Sequence, residues 1–490
     1  MGKNSKQPIE KNINKTEAYM KERLGIEVSY DVGFRELIIL KNKIQLYYVN
    51  GLVDDSTIAQ ILKVLIGIND HESNRKKLTE IIHNRLVNLQ VEQVKTMDEA
   101  IDQLLSGLLV IFIDGEPLAF VVDIRNTPGR SPEEPDTERV VRGSRDGFTE
   151  NVVENTALIR RRIRDARLRQ EMLKVGERSK TDVCISYIKD ITNDDLIDRT
   201  KKMLRSIEID GISMADKAIE EFFVQYRWNP YPIVRYSERP DVVANHLFEG
   251  HVVVIVDTSP SVIILPTTLF DHLEHAEEYR QTPTVGTFIR WIRIIAFIAS
   301  IYLLPLWLLF VLEPSLLPSK LSFIGPTEES NIPILLQILL AVVGVEFLRM
   351  AAIHTPTPLA TALGLIAAVL IGQIAIDVGL LSSEVILYVS ISTIGTYVTP
   401  SYELSVANQI TMLFLILMTA LFSVAGFMIG LVIHILLLAK LTSLSIPYLW
   451  PFLPFNAKGM INFLLRIPVP LSKRRPTKVH PKDLYHQPTK

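Results

Sequence analysis

Hydrophobic residues are arranged differently in the two halves of the chain. Before residue 290 they occur in short runs, such as those over 109–113 and 252–256, separated by polar and charged segments. From Ile292 onward they extend into stretches of about 20 residues, the length that a helix needs to cross a bilayer. This pattern predicts an α/β head followed by an all-α membrane domain.

Four stretches of the second half are long and apolar enough to be full spans. They are Ile292–Leu312, Ile332–Ala352, Thr361–Leu381 and Thr411–Ala439. The apolar part of a fifth stretch, Val385–Glu403, is shorter and ends in polar residues, which predicts a re-entrant or partly embedded helix. Non-helical backbone at that depth must lie against protein or water.

The distribution of Lys and Arg predicts the orientation of these spans. The loop over 313–331 contains one Lys and three Glu, whereas eight Lys and Arg residues follow Phe455. Because positive residues near span ends favour the cytoplasm, head and tail are both expected on the cytoplasmic side. That arrangement requires an even number of crossings.

One intramembrane charge pair stands on the second predicted span. Glu346 and Arg349 are three residues apart, so they share a helix face and can neutralise each other. Two interpretations stay open. The pair either fixes helix packing, or it belongs to a hydrated pathway or a subunit contact, since charge inside a membrane is costly.

The third predicted span has two faces of different character. One face carries a stripe of small residues suited to close helix contact, namely Gly364, Ala368, Gly372, Ala375 and Gly379. The opposite face carries Ile366, Leu370, Gln373 and Asp377. In a symmetric oligomer this face is a candidate pore lining, with an apolar constriction followed by a ring of carboxylates that favours cations. The alternative is an Asp at a helix end that faces lipid headgroups.

An internal duplication is visible in the head. Gly107 corresponds to Gly250 and Asp114 to Asp257, in both cases 143 positions apart (250 − 107, 257 − 114) without a gap. A weaker repeat lies upstream: the segment that starts at Leu46 resembles the segment that starts 139 positions later. Each copy ends in two apolar runs joined by a turn, which predicts a hairpin. The head is therefore predicted to consist of two similar α/β lobes, with Asp114 and Asp257 as turn residues.

A basic segment lies between the two predicted lobes. Three prolines over 128–135 predict an extended linker, and Thr149 or Asn151 is expected to cap a helix that runs to about Leu173. Residues expected to grip the lobes or the next subunit are Arg142, Arg145, Glu150, Arg160, Arg161 and Arg162. Acidic residues interleave with the arginines and no aromatic series accompanies them, which favours an ion-paired linker helix over nucleic-acid binding.

These features divide the chain into six segments. They are an N-terminal polar segment (1–30), a first α/β lobe (31–127), a Pro-rich linker with an Arg-rich helix (128–175), a second α/β lobe (176–280), a transmembrane domain (288–455) and a basic cytoplasmic tail (456–490). The tail, with His480 and His486, is expected to be mobile.

Composition and motifs argue against enzymatic chemistry. The formal net charge is −2 and Cys184 is the single cysteine, so no intrachain disulfide can form. The sequence contains none of the P-loop, dinucleotide-binding, nucleophile-elbow, zinc-protease or C-x-x-C patterns. The histidines are scattered, and His272 with His275 makes a poor metal site. No catalytic residue, metal or cofactor is predicted.

A long motif in the basic segment resembles the A-subunit family of spore germinant receptors. The matching residues are Pro135, Thr137, Glu138, Val140, Val141, Arg142, Gly143, Arg145, Gly147, Phe148, Glu150, Asn155, Thr156 and 158–163. The similarity continues, in the same order, through 364–382, 400–404, 447–454 and 474–476, and covers essentially the whole chain.

The resemblance implies an oligomeric ion channel in the inner membrane of the dormant spore, and a pentamer is expected. It implies release of monovalent cations during germination, with self-association, a second small membrane protein and other germination receptor subunits as partners. Ser144 replaces a proline that is usual in receptor subunits, and the segment Val345–Pro356 also departs from the family pattern. These departures fit a relative that amplifies germination rather than one that senses a nutrient. The rival interpretation is a non-conducting scaffold or receptor subunit that docks other germination proteins through its head.

Overall fold

The fold is described from a computed structural model, which covers residues 7–71, 81–82, 91–126, 138, 140–224, 228–325, 332–354 and 372–487. The chain forms two compact units. The first comprises Met1–Arg227, Val234–Thr267 and Pro468–Lys490, and the second comprises Trp228–Ile233 and Thr268–Ile467. The end of the chain thus returns to the same unit as the head.

The first lobe is a five-stranded antiparallel sheet with helices on both faces. Its elements are α1 (Ile13–Leu24), β1 (Val32–Ile39), β2 (Asn42–Val49), α2 (Asp55–His71), β3 (Val91–Val94), α3 (Met97–Leu105), β4 (Leu109–Ile113) and β5 (Ala119–Val122). The strand order is β1-β2-β4-β5-β3. Every residue of β4 is buried because α1 and α3 cover one face of the sheet and α2 the other.

The second lobe repeats this arrangement. Its elements are α4 (Val152–Arg162), β6 (Leu168–Val175), β7 (Thr181–Ile188), α5 (Asp194–Arg205), α6 (Ala215–Phe223), β8 (Arg235–Ser237), α7 (Pro240–Glu249), β9 (Val252–Val256) and β10 (Val262–Leu265). The order β6-β7-β9-β10-β8 matches that of the first sheet strand for strand. Both predicted hairpins are present, as β4–β5 and β9–β10.

The Arg-rich helix is shorter than predicted. The expectation that it extends to about Leu173 is wrong, because α4 ends at Arg162 and residues 168–175 form strand β6, paired with β7. The Asp165 carboxylate accepts a hydrogen bond from the Arg167 amide at 2.8 Å and closes the intervening turn. Arginines favour helix, but pairing with the sheet overrides that local preference.

Helices α1 and α4 occupy equivalent positions in the two lobes. Their N-cap residues are Asn12 and Asn151, which are 139 positions apart (151 − 12). The Asp114 carboxylate accepts a hydrogen bond from the first amide of α1, and the Asp257 carboxylate does the same for α4, both at 3.1 Å. The predicted turn residues therefore hold the start of a helix in each lobe.

The second unit contains the apolar helices. Its elements are α8 (Ala276–Arg280), α9 (Pro283–Leu312), α10 (Ile334–His354), α11 (Ser383–Val398), α12 (Tyr402–Lys440), β11 (Thr442–Ser443), β12 (Ile446–Pro447) and α13 (Ala457–Leu464); residues 372–377 are also helical. Within the described residues, three helices are long and apolar enough to cross a membrane: Pro283–Leu312, Ile334–Ala351 and Tyr402–Lys440. Most of the predicted span Thr361–Leu381 lies outside the described residues, so that span stays a prediction.

The segment labelled α12 consists of two helices that form a hairpin. Its backbone leaves the helical region at Ser423, with φ 50° and ψ −130°. Thr411 Oγ1 and His434 Nε2 each lie 2.8 Å from the Tyr231 hydroxyl, whereas a straight helix would separate these residues by about 35 Å. The prediction of one span over Thr411–Ala439 is therefore wrong, because continuous hydrophobicity on both sides conceals the turn.

Candidate functional site

Two of the four predicted pore-lining residues lie in the helical residues 372–377; Ile366 and Leu370 are outside the described residues. Gln373 Nε2 donates a hydrogen bond to Asp377 Oδ1 at 3.3 Å, and both side chains are exposed. Ala375, on the opposite side of this helix, is buried. The polar face of these residues is thus exposed, and the opposite face is covered.

Asp377 lies in the last turn of this helix. The Leu380 amide donates to the Ala375 carbonyl, and Gly379 adopts a positive φ of 69°, which is a common way for a helix to end. The exposed Ile374 and Val378 flank the pair along the helix. A carboxylate on an apolar membrane helix is costly in lipid, so this face requires water or other protein.

The structure brings the predicted pair Glu346 and Arg349 together. Arg349 Nη2 lies 2.7 Å from Glu346 Oε2. Two partners from α12 complete the cluster: Gln409 Nε2 donates to Glu346 Oε1 at 2.6 Å, and the Arg349 guanidinium lies 5.5 Å from the centre of the Tyr402 ring. These contacts join α10 to α12 and favour the packing interpretation of the pair.

A chain of hydrogen bonds inside the second unit was not predicted. The Tyr302 hydroxyl lies 2.9 Å from His434 Nδ1, and the Tyr231 hydroxyl bridges His434 Nε2 and Thr411. Because Thr411 donates to the Ala407 carbonyl, it accepts from Tyr231, which accepts from His434. One neutral tautomer of His434 satisfies every hydrogen bond in this series, which assigns His434 a packing role.

A second polar cluster lies near the middle of α9. Asn408 is fully buried and donates to the Ser300 hydroxyl at 3.5 Å, while Ser392 donates to the Ser300 carbonyl at 3.3 Å. Asn408 Oδ1 has no partner among the described residues. Single serines and an asparagine in apolar helices give no distinctive sequence pattern, so this cluster could not be predicted.

Arg160, one of the predicted linker residues, is buried between the two lobes. Its Nε donates to Asp31 Oδ2 at 2.7 Å, and both side chains are almost inaccessible to solvent. The remaining guanidinium nitrogens donate to the Asp165 and Leu168 carbonyls. Arg160 therefore joins the two lobes of the head.

The other predicted linker residues lie at or near the surface. Arg162 pairs with Asp146 at 2.6 Å, while Arg142, Arg145, Glu150 and Arg161 are exposed. Burial raises the pKa of the Asp146 carboxyl, but hydrogen bonds from Arg162 and Ser144 outweigh burial and hold that pKa below its ordinary value. The exposed members remain candidates for contacts between subunits.

One group of side chains has metal-ligand character. Donor atoms of His246, Glu249 and His251 all lie within 4.8 Å of one another in the second lobe. However, the Arg235 guanidinium lies 3.4 Å from His246 Nε2. Because arginine can only donate, this nitrogen accepts and the proton of the neutral ring is on Nδ1. That proton then faces the Glu249 carboxylate, 3.9 Å away, which favours a polar cluster over a metal centre.

Comparison with known proteins identifies the family. Residues 18–478 match the family model described as "Bacillus/Clostridium GerA spore germination protein". This chain belongs to the GerA family of spore germination proteins. It is 57% identical over 487 residues to stage V sporulation protein AF of Bacillus subtilis, covering 99% of both chains. It is 28% identical to spore germination protein KA of Bacillus subtilis, covering 98% of this chain and 89% of that protein.

Among solved structures, the head is similar to the N-terminal domain of the A subunit of the Bacillus megaterium spore germinant receptor GerK3. The identity is 25%, the TM-score is 0.42, and the match covers 53% of this chain and 97% of that one. The family model and the 57% identical relative confirm the resemblance seen in the sequence: the GerA-family chain is a germination-related membrane protein.

Proposed function

We propose that this GerA-family protein is a subunit of an oligomeric channel in the inner membrane of the spore. The channel releases monovalent cations and amplifies the response to germinants. We expect a pentamer with a second small membrane protein and other receptor subunits as partners. Family membership supports the germination role, and the polar membrane face supports the channel.

The observation that carries this proposal is the exposed pair Gln373 and Asp377 on a helix whose other side, at Ala375, is buried. A carboxylate that faces away from its own bundle is stable only against water or another protein. A ring of copies satisfies that requirement by placing one carboxylate per copy around a shared lumen. Such a ring attracts cations and repels anions.

Planar-bilayer recording of the purified full-length oligomer tests the proposal. Asp377→Asn keeps the shape of the side chain and removes its charge, so the reversal potential in a KCl gradient should shift toward the value of a non-selective pore and cation conductance should fall severalfold. Glu384→Gln is the matched control, a carboxylate at the start of α11, and should leave both unchanged.

Two outcomes would overturn parts of this proposal. A verified oligomer without conductance would refute the channel and leave the scaffold function. Conductance with unaltered selectivity in Asp377→Asn would place the lumen away from residues 373–377.

We further propose that the chain crosses the membrane six times. Trp307 of α9 stacks on Tyr388 of α11 with ring centres 4.7 Å apart, and Ser392 reaches the Ser300 carbonyl, so these helices are antiparallel. Helix α10 and the predicted span over 361–381 each add one pass, and the two halves of α12 add one pass in each direction. Six is even, which keeps both chain ends cytoplasmic.

Labelling at the hairpin turn distinguishes six passes from four. In a Cys184→Ala background, Val424→Cys lies at the turn after Ser423. An impermeant maleimide should label this cysteine from outside the cell. If the cysteine were labelled from neither side of the membrane, the segment would be embedded and six passes would be refuted.

The equivalent strand order of the two sheets supports descent of the head from a duplication.

A further inference from the structure

The C-terminal tail is bound to the second lobe, contrary to the expectation that it is mobile. Arg475 Nε donates to the Phe248 carbonyl at 2.7 Å, and the Lys482 amide donates to the Ile191 carbonyl at 2.8 Å. Val479, between them, is completely buried. The tail thus crosses the end of α7 and the loop that follows β7.

Hydrogen bonds within the tail fold it into a loop. Arg475 Nη1 donates to the Asp483 carbonyl at 3.1 Å and to the Tyr485 carbonyl, and it pairs with the Asp483 carboxylate at 2.9 Å. The Arg475 amide also donates to the Leu484 carbonyl at 2.9 Å. Arg475 therefore closes a loop that presents Val479 to the lobe.

The first lobe has its own segment at the corresponding place. Leu52 and Ile191 are equivalent, 139 positions apart (191 − 52), and the Leu52 carbonyl accepts from the Asn126 amide at 3.0 Å. Asn126 thus makes the bond that Lys482 makes in the second lobe. Residues 124–126 follow β5 with one residue between, so the first lobe closes itself.

The two equivalent glycines give the same correspondence independently. Gly107 and Gly250 both end the helix before the central strand with a positive φ, 93° and 101°. A Cβ on Gly107 would lie 3.2 Å from Leu52 and 3.4 Å from Arg125. A Cβ on Gly250 would lie 3.4 Å from both Ile191 and Pro481. Pro481 therefore occupies in the second lobe the position of Arg125 in the first.

Among the described residues, the stretch that follows β10 does not close the second lobe in this way. After β10 the chain enters the other unit at Thr268, where the Leu269 amide donates to the Tyr448 carbonyl at 2.9 Å. The residues that would close the lobe are thus committed elsewhere. Closure has to come from a distant part of the chain.

We infer that the second lobe carries a peptide-binding groove beside Gly250 and that its occupant is the chain's own tail, residues 475–482. The groove offers the Phe248 and Ile191 carbonyls, an apolar slot for Val479, and the Asp194 carboxylate 2.6 Å from Lys482 Nζ. It selects a basic segment with a central apolar residue. This inference does not rest on the channel proposal.

Proteolysis of the full-length, detergent-purified protein tests the inference. Arg475→Ala removes the bonds that close the loop and hold it to Phe248, so a lysine-specific protease should cleave after Lys478 and Lys482 at least tenfold faster than in the unaltered chain. Arg474→Ala is the matched control, because it removes the same charge from an exposed side chain that contacts Tyr485. Its cleavage rate should not change.

A second measurement keeps the inference testable if Arg475→Ala fails to fold. The chain shortened to end at Ser472 should bind a synthetic peptide of residues 473–490, and the same peptide with Arg475→Ala should bind at least tenfold more weakly. Equal cleavage of the unaltered, Arg474→Ala and Arg475→Ala chains would overturn the inference. So would a shortened chain that melts like the full chain and binds neither peptide.

Discussion

The two lobes of the head share a fold and differ in how each is completed. Both sheets have the same order, and in both a carboxylate after the central strand holds the first amide of a helix. The first lobe is closed by its own residues 124–126, which come after β5. The second lobe is closed by residues 475–482 from the end of the chain. Shared topology therefore fixes which positions must be filled, and connectivity decides which residues fill them.

Equivalent helices also perform different tasks. Lys21 of α1 and Arg160 of α4 correspond, 139 positions apart (160 − 21). Lys21 pairs with Glu17 and Glu27 at the surface, whereas Arg160 is buried against Asp31 of the other lobe. The same helix position is a solvated face in one lobe and the connection between lobes in the other.

The largest effect that sharpens this comparison is expected from Arg160→Ala. The substitution leaves the Asp31 carboxylate buried without its cation, which costs about 3–5 kcal/mol of stability. Thermal unfolding of the full-length protein, followed by loss of head secondary structure, should show a clear drop in melting temperature. Lys21→Ala, at the equivalent surface position, should change it little.

A double variant separates charge from packing at this site. Arg160→Met with Asp31→Asn removes both charges while keeping most of the volume, so it should recover part of the loss. Equal destabilisation by Arg160→Ala and Lys21→Ala would contradict the distinction between the two helices. The lobes would then be joined by their apolar contacts alone.

Much of the head was predictable because its information is local. The runs over 109–113 and 252–256 gave both hairpins, and the spacing of Gly107 and Gly250 predicted two similar lobes with equivalent turns. The end of α4 and strand β6 were missed because residues 168–175 include four charged or amide side chains and therefore form neither an apolar run nor an alternating pattern. Pairing with β7 decides that segment, and pairing is not a local property.

The membrane unit was less predictable for a physical reason. In an apolar segment a turn needs no polar residue when its backbone groups are satisfied by neighbours, so the reversal at Ser423 left no break in hydrophobicity. The pair Glu346 and Arg349 was found because charge stands out in such a segment, whereas its partner Gln409 did not. The tail was misjudged because its binding partner, the edge of the second lobe, is distant in sequence.

The smallest of the expected effects comes from the two capping carboxylates. Asp257→Ala removes the acceptor for the first amide of α4 and should cost about 1 kcal/mol, as loss of a helix cap does. Asp114→Ala removes the same bond from α1, but Asp114 is exposed while Asp257 is half-buried, so the loss should be smaller and should show mainly as faster amide exchange at Ile13. Asp257→Asn is the control, since its side-chain carbonyl still accepts the bond. If Asp257→Asn were as unstable as Asp257→Ala, charge rather than the hydrogen bond would hold the helix, and the equivalence of the two caps would fail.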